Sequence, residues 1–439
     1  MQHVWQHRMG LPCLLTTVDG EEVEIIDPGL LNSDAGPDFF NAKIRIGNRI
    51  WAGNVEIHVK ASDWIRHNHH KDPAYQSVIL HVVRTSDTRI AVADGRILPQ
   101  LEMTWADAFC EEVRKMSCRS ASMPPCADEL PGIPSIFKTE WLAALGIERL
   151  NAKVERVHCY LQSQEQNWHS AIYVLLARAL GFSTNGEAFE RTALATPLRF
   201  LMRHQGDVRA VEAALFGQAG MLDVNLSPGP EADYLEELRN DYAFMKAKYG
   251  FNAPVAPGWR MARMRPQNFP HRRIAFLAAH IAAGFTISRN IFNVGNADEA
   301  RRLLDCTLSP FWASHYNFTS PGRTSGTLSR SSIDSLLINV VIPVVFAYGK
   351  HFAQPRLCET AVDMLHALPP ENNVIIRNFA TAGIEADNAY ATQALLELYR
   401  SYCEQKKCLY CRLGHRLLAE KARASCAFEP ENGSLNSAF

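Results

Sequence analysis

The pattern of apolar and polar residues changes once along the chain, near Trp105. Before that point apolar residues alternate with polar ones, the period of a β-strand, in "LLTTVDGEEVEII", "AKIRIGNRIWAGNVEIHV" and "RIAVADGRILPQLEM". Each segment contains a turn dipeptide, at 19–20, 47–48 or 94–95, so we expect three hairpins. The run "VILHVV" predicts one more short, buried strand.

Beyond Trp105, apolar residues recur at spacings of three and four, as in "TEWLAALGIERLNAKVERVHCYL" and "YATQALLELYRSYC", which is typical of helices. The Ser-, Pro- and Cys-rich stretch "SCRSASMPPCADELPGIP" predicts a linker. The chain is therefore expected to be an α+β protein, with a β-rich N-terminal domain before a large helical one. The expected bounds are 1–116 for the β-rich domain, 117–136 for the linker, 137–426 for the helical domain and 427–439 for a disordered tail.

Length and charge limit the alternatives. The 439 residues exceed one ordinary core, and the 21% of charged residues fits a globular protein. Because the net charge is −1, any contact with nucleic acid must use a local patch. The N-terminus lacks the apolar core of a signal peptide, and the apolar run "SLLINVVIPVVFAYG" is broken by Asn339 and Pro343. We therefore expect a cytoplasmic protein without a membrane partner.

The segment "NVEIHVK" carries the first candidate site. Glu56, His58 and Lys60 alternate with apolar residues and so share one face of a strand. The turn at 47–48 folds the strand that follows Asp38 back against this one, so the two acids can lie close together. Two close carboxylates repel unless a cation lies between them, and Mg²⁺ or Mn²⁺ suits such a pair. A bound ion would activate water for attack on phosphate, with His58 or Lys60 assisting.

The combination of "GPDFF" with "EIHVK" resembles the signature of the PD-(D/E)XK nuclease superfamily. The resemblance implies a small mixed sheet of the restriction-endonuclease type that acts on DNA or RNA. It also implies that Asp38, Glu56 and the backbone carbonyl of Ile57 bind Mg²⁺. That superfamily has a lysine two residues after the glutamate, where this chain has His58. Either His58 replaces the lysine, or Lys60 reaches in from further along the strand.

Most of the chain is also similar to a bacterial family known only as a domain of unknown function. The similarity rests on "AGPDFFNAKIRI", "GNVEIHVKASDWIRHNHHKDPAY", "VILHVV" and "YCEQKKCLYCRLGH". This similarity indicates a family but does not indicate an activity. The alternative interpretation of the N-terminal motif is an amphipathic surface hairpin with a solvated Glu–Lys pair.

Histidines concentrate next to this motif, with five of the sixteen between residues 58 and 81. His67 and His70 are expected to share a helix face, and His81 lies on the strand "VILHVV", where we count it among the candidate catalytic residues. Such a group suits Zn²⁺ or Mn²⁺ and gives a further hypothesis, a zinc hydrolase. The alternative is a set of surface imidazoles, with His81 as a hydrogen-bonded interior residue.

A second candidate metal site lies near the C-terminus. In "YCEQKKCLYCRLGH" the residues Cys403, Cys408, Cys411 and His415 have the spacing of a Cys₃His zinc site. An iron–sulfur cluster would need a fourth thiolate, from Cys426 or Cys358. Either metal would be structural, because the surrounding sequence is helical. The alternative is a helix with buried, reduced thiols.

A basic stretch is the candidate nucleic-acid contact. Residues 242–297 contain no Asp or Glu, and "GWRMARMRPQNFPHRR" mixes arginines with aromatic residues, which suits a phosphate backbone and stacked bases. The alternative is that these arginines pair with acids elsewhere in the fold. The candidate residues are Arg260, Arg263, Arg265, Arg272 and Arg273.

Motifs of ATPases, dinucleotide oxidoreductases, serine hydrolases and common metalloproteases are absent from the sequence. The leading hypothesis is a nuclease that depends on Mg²⁺ or Mn²⁺, with Asp38 and Glu56 as metal ligands. The second hypothesis is a non-enzymatic scaffold or nucleic-acid-binding protein that keeps a degenerate site, which His58 in place of lysine would favour.

Overall fold

The computed structural model of this chain divides into two compact units, and 56% of it is helical. The first unit contains the residues 1–141, 377–384 and 398–439, and the second contains 142–376 and 385–397. The structure describes the residues 1–9, 11–12, 14–32, 34–92, 94–105, 107–118, 123–252, 258–322 and 326–426. The predicted tail at 427–439 lies outside the described residues.

The first unit is organised around a seven-stranded mixed sheet. Its strands are β1 (Leu15–Thr16), β2 (Glu22–Asp27), β3 (Leu30–Leu31), β4 (Phe39–Ile46), β5 (Arg49–Lys60), β6 (Val78–Thr85) and β7 (Gln100–Glu102). The order of hydrogen-bonded strands is β1-β2-β4-β5-β6-β7. The short strand β3 lies outside this order and pairs with β4. The strands β1 to β5 pair antiparallel, whereas β5, β6 and β7 run parallel.

Two of the three expected hairpins are confirmed. The turn at 19–20 joins β1 to β2, and the turn at 47–48 joins β4 to β5. Among the described residues of the third turn, Ala91 and Ile97 form an isolated bridge, and the chain then enters β7 beside β6. The run "VILHVV" is the buried strand β6, as expected. Local alternation predicted these strands, but it contained no information about which of them run parallel.

The helices follow the period change near Trp105. In chain order they are α1 (Gln2–His7), α2 (Asp63–Arg66), α3 (Asp107–Cys118), α4 (Ser135–Ser163), α5 (Trp168–Leu180), α6 (Phe182–Ala195), α7 (Leu198–Leu201), α8 (Val208–Gln218), α9 (Pro230–Tyr249), α10 (Pro270–Ala282), α11 (Ile287–Asn290), α12 (Ala297–Leu303), α13 (Pro310–Ser314), α14 (Arg330–Leu336), α15 (Ile342–His351), α16 (Pro355–Ala367), α17 (Val374–Thr381), α18 (Ala389–Glu397) and α19 (Arg412–Cys426). A short hairpin, β8 (His315–Asn317) with β9 (Ser320–Pro321), lies among them.

Helices form the core of the second unit. α8 and α10 bury all or nearly all of their residues, which explains why their sequences are apolar on most sides. Large aromatic side chains, including Phe216, Phe276 and Trp312, fill the space between helices.

Among the described residues, the helical segment Arg330–His351 is long and apolar enough to cross a membrane. The helices Pro270–Ala282 and Ile287–Asn293, which are joined by a bend, have sufficient length and apolar character only when they are taken together. The most apolar window of the first segment is 78% buried inside the protein. Core helices of soluble proteins have the same character.

The C-terminal part of the chain groups with the sheet. Residues 398–426, which the sequence assigned to the helical domain, belong to the first unit together with the N-terminal residues 1–141. Long-range packing decides this grouping, and helical periodicity contains no information about it. The candidate cysteines and the candidate acids therefore lie in the same unit.

We predict that Gly53→Ala destabilises the first unit by about 1–3 kcal/mol, because a methyl group there has no space. A Cβ on Gly53 would lie 2.4 Å from Cγ2 of Ile79 and 2.6 Å from the carbonyl oxygen of Ser77. Chemical denaturation measures the change. Gly132→Ala is the matched control, since its Cβ would meet nothing within 4 Å. Equal free energies of unfolding in the two variants would contradict the packing of β5 against β6.

Candidate functional site

Asp38 and Glu56 are held by reciprocal backbone contacts at the junction of β4 and β5. Asp38 immediately precedes β4, and its backbone N–H donates to Oε2 of Glu56 at 3.0 Å. The backbone N–H of Ile57 donates to Oδ2 of Asp38, also at 3.0 Å. Each carboxyl group is thus anchored to the strand that carries the other. The sequence-based expectation that the hairpin brings these two acids together agrees with this geometry.

Burial and mutual repulsion make this pair hard to ionise. Burial, followed by the nearby charge of Asp38, raises the pKa of Glu56 to about 8. Burial also raises the pKa of Asp38, although hydrogen bonds from Ile57 and Gln2 oppose it. Without a cation, Glu56 is therefore largely protonated at neutral pH, which is unusual for a glutamate.

Imidazoles surround the other oxygen of Glu56. Nε2 of His58 lies 3.3 Å from Oε1 of Glu56, and Nε2 of His69 lies 3.5 Å from the same oxygen. Nδ1 of His67 lies 3.2 Å from Nε2 of His58. One ring nitrogen from each of the three histidines falls within 4.8 Å of the others. Three imidazoles therefore converge, and two of them, His58 and His69, also lie beside one carboxyl oxygen of Glu56.

His81 lies behind His58 and fixes its ring. The residue is fully buried on β6, opposite Glu56 in the parallel register, and its Nε2 lies 2.9 Å from Nδ1 of His58. Burial, followed by the neighbouring His58, lowers the pKa of His81 to about 3. His58 has a pKa lowered to about 4, again mainly by burial. Both rings are neutral at physiological pH, so one donates to the other in their hydrogen bond.

The segment between β5 and β6 presents the histidines. α2 ends at Arg66, and Asn68, with φ 64°, turns the chain in the left-handed region that asparagine tolerates better than most residues. His69 then stacks on the ring of Tyr75, with centroids 3.8 Å apart. Trp64, which is fully buried, packs edge-on against Tyr75. This aromatic stack fixes the position of His69 next to Glu56.

Two sequence-based assignments change in this segment. The histidine that joins His58 and His67 is His69, whereas His70 was expected to share a face with His67. α2 is too short to extend to His70, because the left-handed residue Asn68 interrupts it, and helical spacing therefore does not apply. Lys60 is exposed near the end of β5, whereas His58, nearer to Glu56 on the same face, is buried beside the carboxyl group.

The C-terminal cysteines gather around a partner that the sequence did not indicate. Cys403 and Cys411 are buried, Cys408 is partly buried, and the fourth member is the buried Cys126. Burial, followed by the thiols of Cys411 and Cys408, raises the pKa of Cys126 to about 12. Burial, followed by Cys411, Cys126 and Cys408, likewise raises the pKa of Cys403. No local motif precedes Cys126, so only the fold reveals this group of four thiols.

The other expected ligands of this centre lie elsewhere. His415 lies against His3 and His7, with ring centroids 5.8 and 4.6 Å apart respectively. Cys358 belongs to α16, in the second unit, where its Sγ lies 3.7 Å from the carbonyl oxygen of Phe346. The side chain of Cys426 lies outside the described part of the chain.

The basic stretch divides into exposed and buried arginines. Arg260, Arg263 and Arg265 are exposed. Arg272 and Arg273 are only 2% and 1% exposed, on the buried helix α10, and so are not available for a phosphate backbone. The sequence pattern predicted that all five arginines contact nucleic acid, because the spacing of charges does not show which arginines are exposed and which are buried.

Comparison with known proteins identifies the family alone. No curated protein and no solved structure matches the chain. The model of a family described as "Protein of unknown function (DUF2851)" matches residues 1–374, which include the acid pair and the histidines. The chain belongs to this DUF2851 family.

Proposed function

We propose that the first unit is a divalent-metal-dependent hydrolase of phosphodiesters, a nuclease, centred on Glu56. The observation that carries this proposal is the position of Glu56, a buried acid held against Asp38, with the rings of His58 and His69 beside its other oxygen. Among the described residues, no lysine or arginine forms an ion pair with Glu56. A divalent cation would provide a positive partner.

Asp38 and Glu56 are the proposed carboxylate ligands, and His58 is a third. When bound, the ion supplies Lewis acidity and lowers the pKa of a water molecule at the site. His58 presents Nε2 toward Glu56, and its Nδ1 can donate to Nε2 of His81. A histidine ligand is commonly oriented by such a bond from its other nitrogen. The lowered pKa of His58 makes it a weak base, so we assign it to binding and not to proton abstraction.

The ligand chemistry favours Mn²⁺ over Mg²⁺. Magnesium prefers oxygen ligands and several waters, whereas imidazole suits transition metals. Two imidazoles, His58 and His69, lie beside Oε1 of Glu56, and a third, His67, groups with them. His67 is exposed and lies at the mouth of the site, where it can position a phosphate or a water molecule.

The order of elements supports the resemblance to the PD-(D/E)XK superfamily. The acid-bearing strand β5 has an antiparallel neighbour, β4, and a parallel neighbour, β6, as a small mixed sheet of that type would have. In a strand, the N–H and C=O groups of one residue point to the same side, and those of the next residue point to the opposite side. Since the N–H of Ile57 faces Asp38, its carbonyl lies on that side as well, where the resemblance implies a third oxygen ligand.

A non-enzymatic nucleic-acid-binding protein is the second candidate. The replacement of the expected lysine by the buried, weakly basic His58 favours it. The exposed residues Arg260, Arg263 and Arg265 remain candidate contacts for DNA or RNA in either case. Salt-sensitive binding without cleavage, in the presence of Mn²⁺, would support this candidate.

We predict that the protein with Mn²⁺ cleaves plasmid or single-stranded nucleic acid, and that Glu56→Gln and Asp38→Asn each reduce the rate at least about 100-fold. Each substitution replaces a proposed carboxylate ligand with a neutral amide, and so removes negative charge that would bind the metal ion. Gel assays over a series of metals and substrates measure the rate. Lys60→Ala separates the two sequence-based alternatives, since it should retain activity if His58 is the residue at the site.

The matched control for this experiment is Glu24→Gln, an exposed acid on β2 that pairs with Arg45. It should retain the wild-type rate. Equal rates in wild type, Glu56→Gln and Asp38→Asn would contradict the assignment of the site. Binding without cleavage on every substrate would favour the second candidate.

We predict that the metal-free protein loses stability as the pH rises from about 6.5 to 8. The pKa of Glu56 is raised to about 8 in the folded state, so the folded state binds more protons than the unfolded state in this window. The expected loss is about 1–2 kcal/mol, and both Mn²⁺ and Glu56→Gln should remove it. The histidines act in the opposite direction, because their pKa values are lowered to about 4 and 3, and this contribution fades as the pH rises above about 6.5. Glu56→Gln keeps these histidines, so the difference between wild type and this variant measures the contribution of Glu56.

Denaturant titrations at the two pH values, with and without Mn²⁺, measure this effect. Glu24→Gln, whose carboxyl group is exposed, should keep the wild-type pH dependence. An identical slope in wild type and Glu56→Gln would show that another group is responsible.

We also propose that Cys126, Cys403, Cys408 and Cys411 hold a structural metal, either Zn²⁺ or an iron–sulfur cluster. Four thiols satisfy both kinds of centre. Burial raises the pKa of Cys411, and backbone N–H groups of Gly414 and Leu413 at the start of α19, which donate to its sulfur, oppose that shift. Reduced thiols of this kind agree with a cytoplasmic location.

We predict that Cys126→Ser removes this metal and destabilises the first unit, since a structural metal contributes directly to folding. Elemental analysis for zinc and iron, together with visible absorption, distinguishes the two centres. Cys159→Ser, at an exposed cysteine on α4, is the control and should retain the metal. Unchanged metal content in Cys126→Ser would contradict the assignment of the fourth ligand.

A further inference from the structure

A second group of three histidines lies apart from Glu56. His3 and His7 are one turn apart on α1, with ring centroids separated by 4.3 Å. His415, in the first turns of α19, completes the group. One nitrogen from each of the three rings lies within 4.8 Å of the others. Sequence spacing gave His3 and His7 no role and assigned His415 to the cysteines.

The nitrogens of this group lack hydrogen-bond partners. His3 is only 7% exposed, and both of its ring nitrogens are buried without one. Nε2 of His415 is buried and unpartnered as well. A buried polar atom without a hydrogen bond costs about 1–3 kcal/mol. A cation shared by the three rings would bind one nitrogen of each, and would so satisfy up to two of these three atoms.

The electrostatics of the group suit a metal better than protons. Burial, followed by the proximity of His7 and His415, lowers the pKa of His3 to about 4. Burial also lowers the pKa of His7 and of His415. A neutral imidazole has a lone pair on one ring nitrogen, which is the atom that a metal ion binds.

We propose that His3, His7 and His415 form a zinc site that ties α1 to α19. Imidazole nitrogen is a preferred ligand of Zn²⁺, and two histidines four residues apart on one helix face a common ion. Three histidines leave one of the four tetrahedral positions for water or another small ligand. His7 is exposed, so that position faces solvent on its side of the group.

The site has a structural consequence for the acid pair. α1 has six residues and is too short to be stable as an isolated helix. Trp5 anchors it, with Nε1 donating to the carbonyl oxygen of Pro28 at 3.0 Å. On the same helix, Nε2 of Gln2 donates to Oδ1 of Asp38 at 2.6 Å. Zinc between α1 and α19 would hold this contact in place and connect the two ends of the first unit.

The test uses the full-length protein with Zn²⁺ as the probe and His7→Gln as the main variant. Because His7 is exposed, this substitution should leave the fold intact, which circular dichroism verifies. We expect His7→Gln to lose one tightly bound zinc per chain, with affinity at that site at least about 100-fold weaker. His351→Gln, at an exposed histidine of the second unit, is the matched control and should keep the wild-type stoichiometry.

A second measurement locates the ion. Diethyl pyrocarbonate modifies free imidazoles, and mass spectrometry reports which histidines react. Zinc should protect His7 and His415 in wild type and should no longer protect His415 in His7→Gln. A wild-type zinc count in His7→Gln, or modification of His7 that zinc does not change, would overturn the proposal. Neither result depends on the Mn²⁺-dependent cleavage assay, so this site and the nuclease can fail separately.

Discussion

The reciprocal hydrogen bonds between Asp38 and Glu56 determine the arrangement of the sheet-bearing unit at its candidate site. Asp38 accepts from the backbone of β5, and Glu56 accepts from the backbone that enters β4. A buried carboxyl group is costly without hydrogen bonds, so the two strands must hold this register for both acids to be satisfied. The separate parallel register of β5 with β6 places Glu56 opposite His81.

The site differs from a structural ion pair because its rings cannot supply positive charge. A histidine that stabilises a buried glutamate usually gains a proton, and its pKa rises. Here burial lowers the pKa of His58 and of His81, while the pKa of Glu56 rises to about 8. The metal-free site is therefore nearly neutral at pH 7, and ionisation of Glu56 there would leave its negative charge without a positive partner.

Segments that are far apart along the chain also meet elsewhere in the first unit. α1 lies against His415 of α19, and Cys126 approaches the cysteines at 403–411. Each contact joins segments that are hundreds of residues apart along the chain. Forming such contacts costs loop-closure entropy, although that cost grows only slowly with loop length.

The sequence by itself determined the strands, the two tight hairpins, the helical region and the pairing of Asp38 with Glu56. Each of these depends on periodicity or on a turn within about twenty residues, where local geometry controls the outcome. The tertiary structure decided that His69 and not His70 joins His58, that Cys126 completes the thiols, and that His415 meets His3 and His7. It also placed Arg272 and Arg273 inside the helical core. These outcomes depend on side chains from distant segments that meet only when the core packs, so no local pattern contains them.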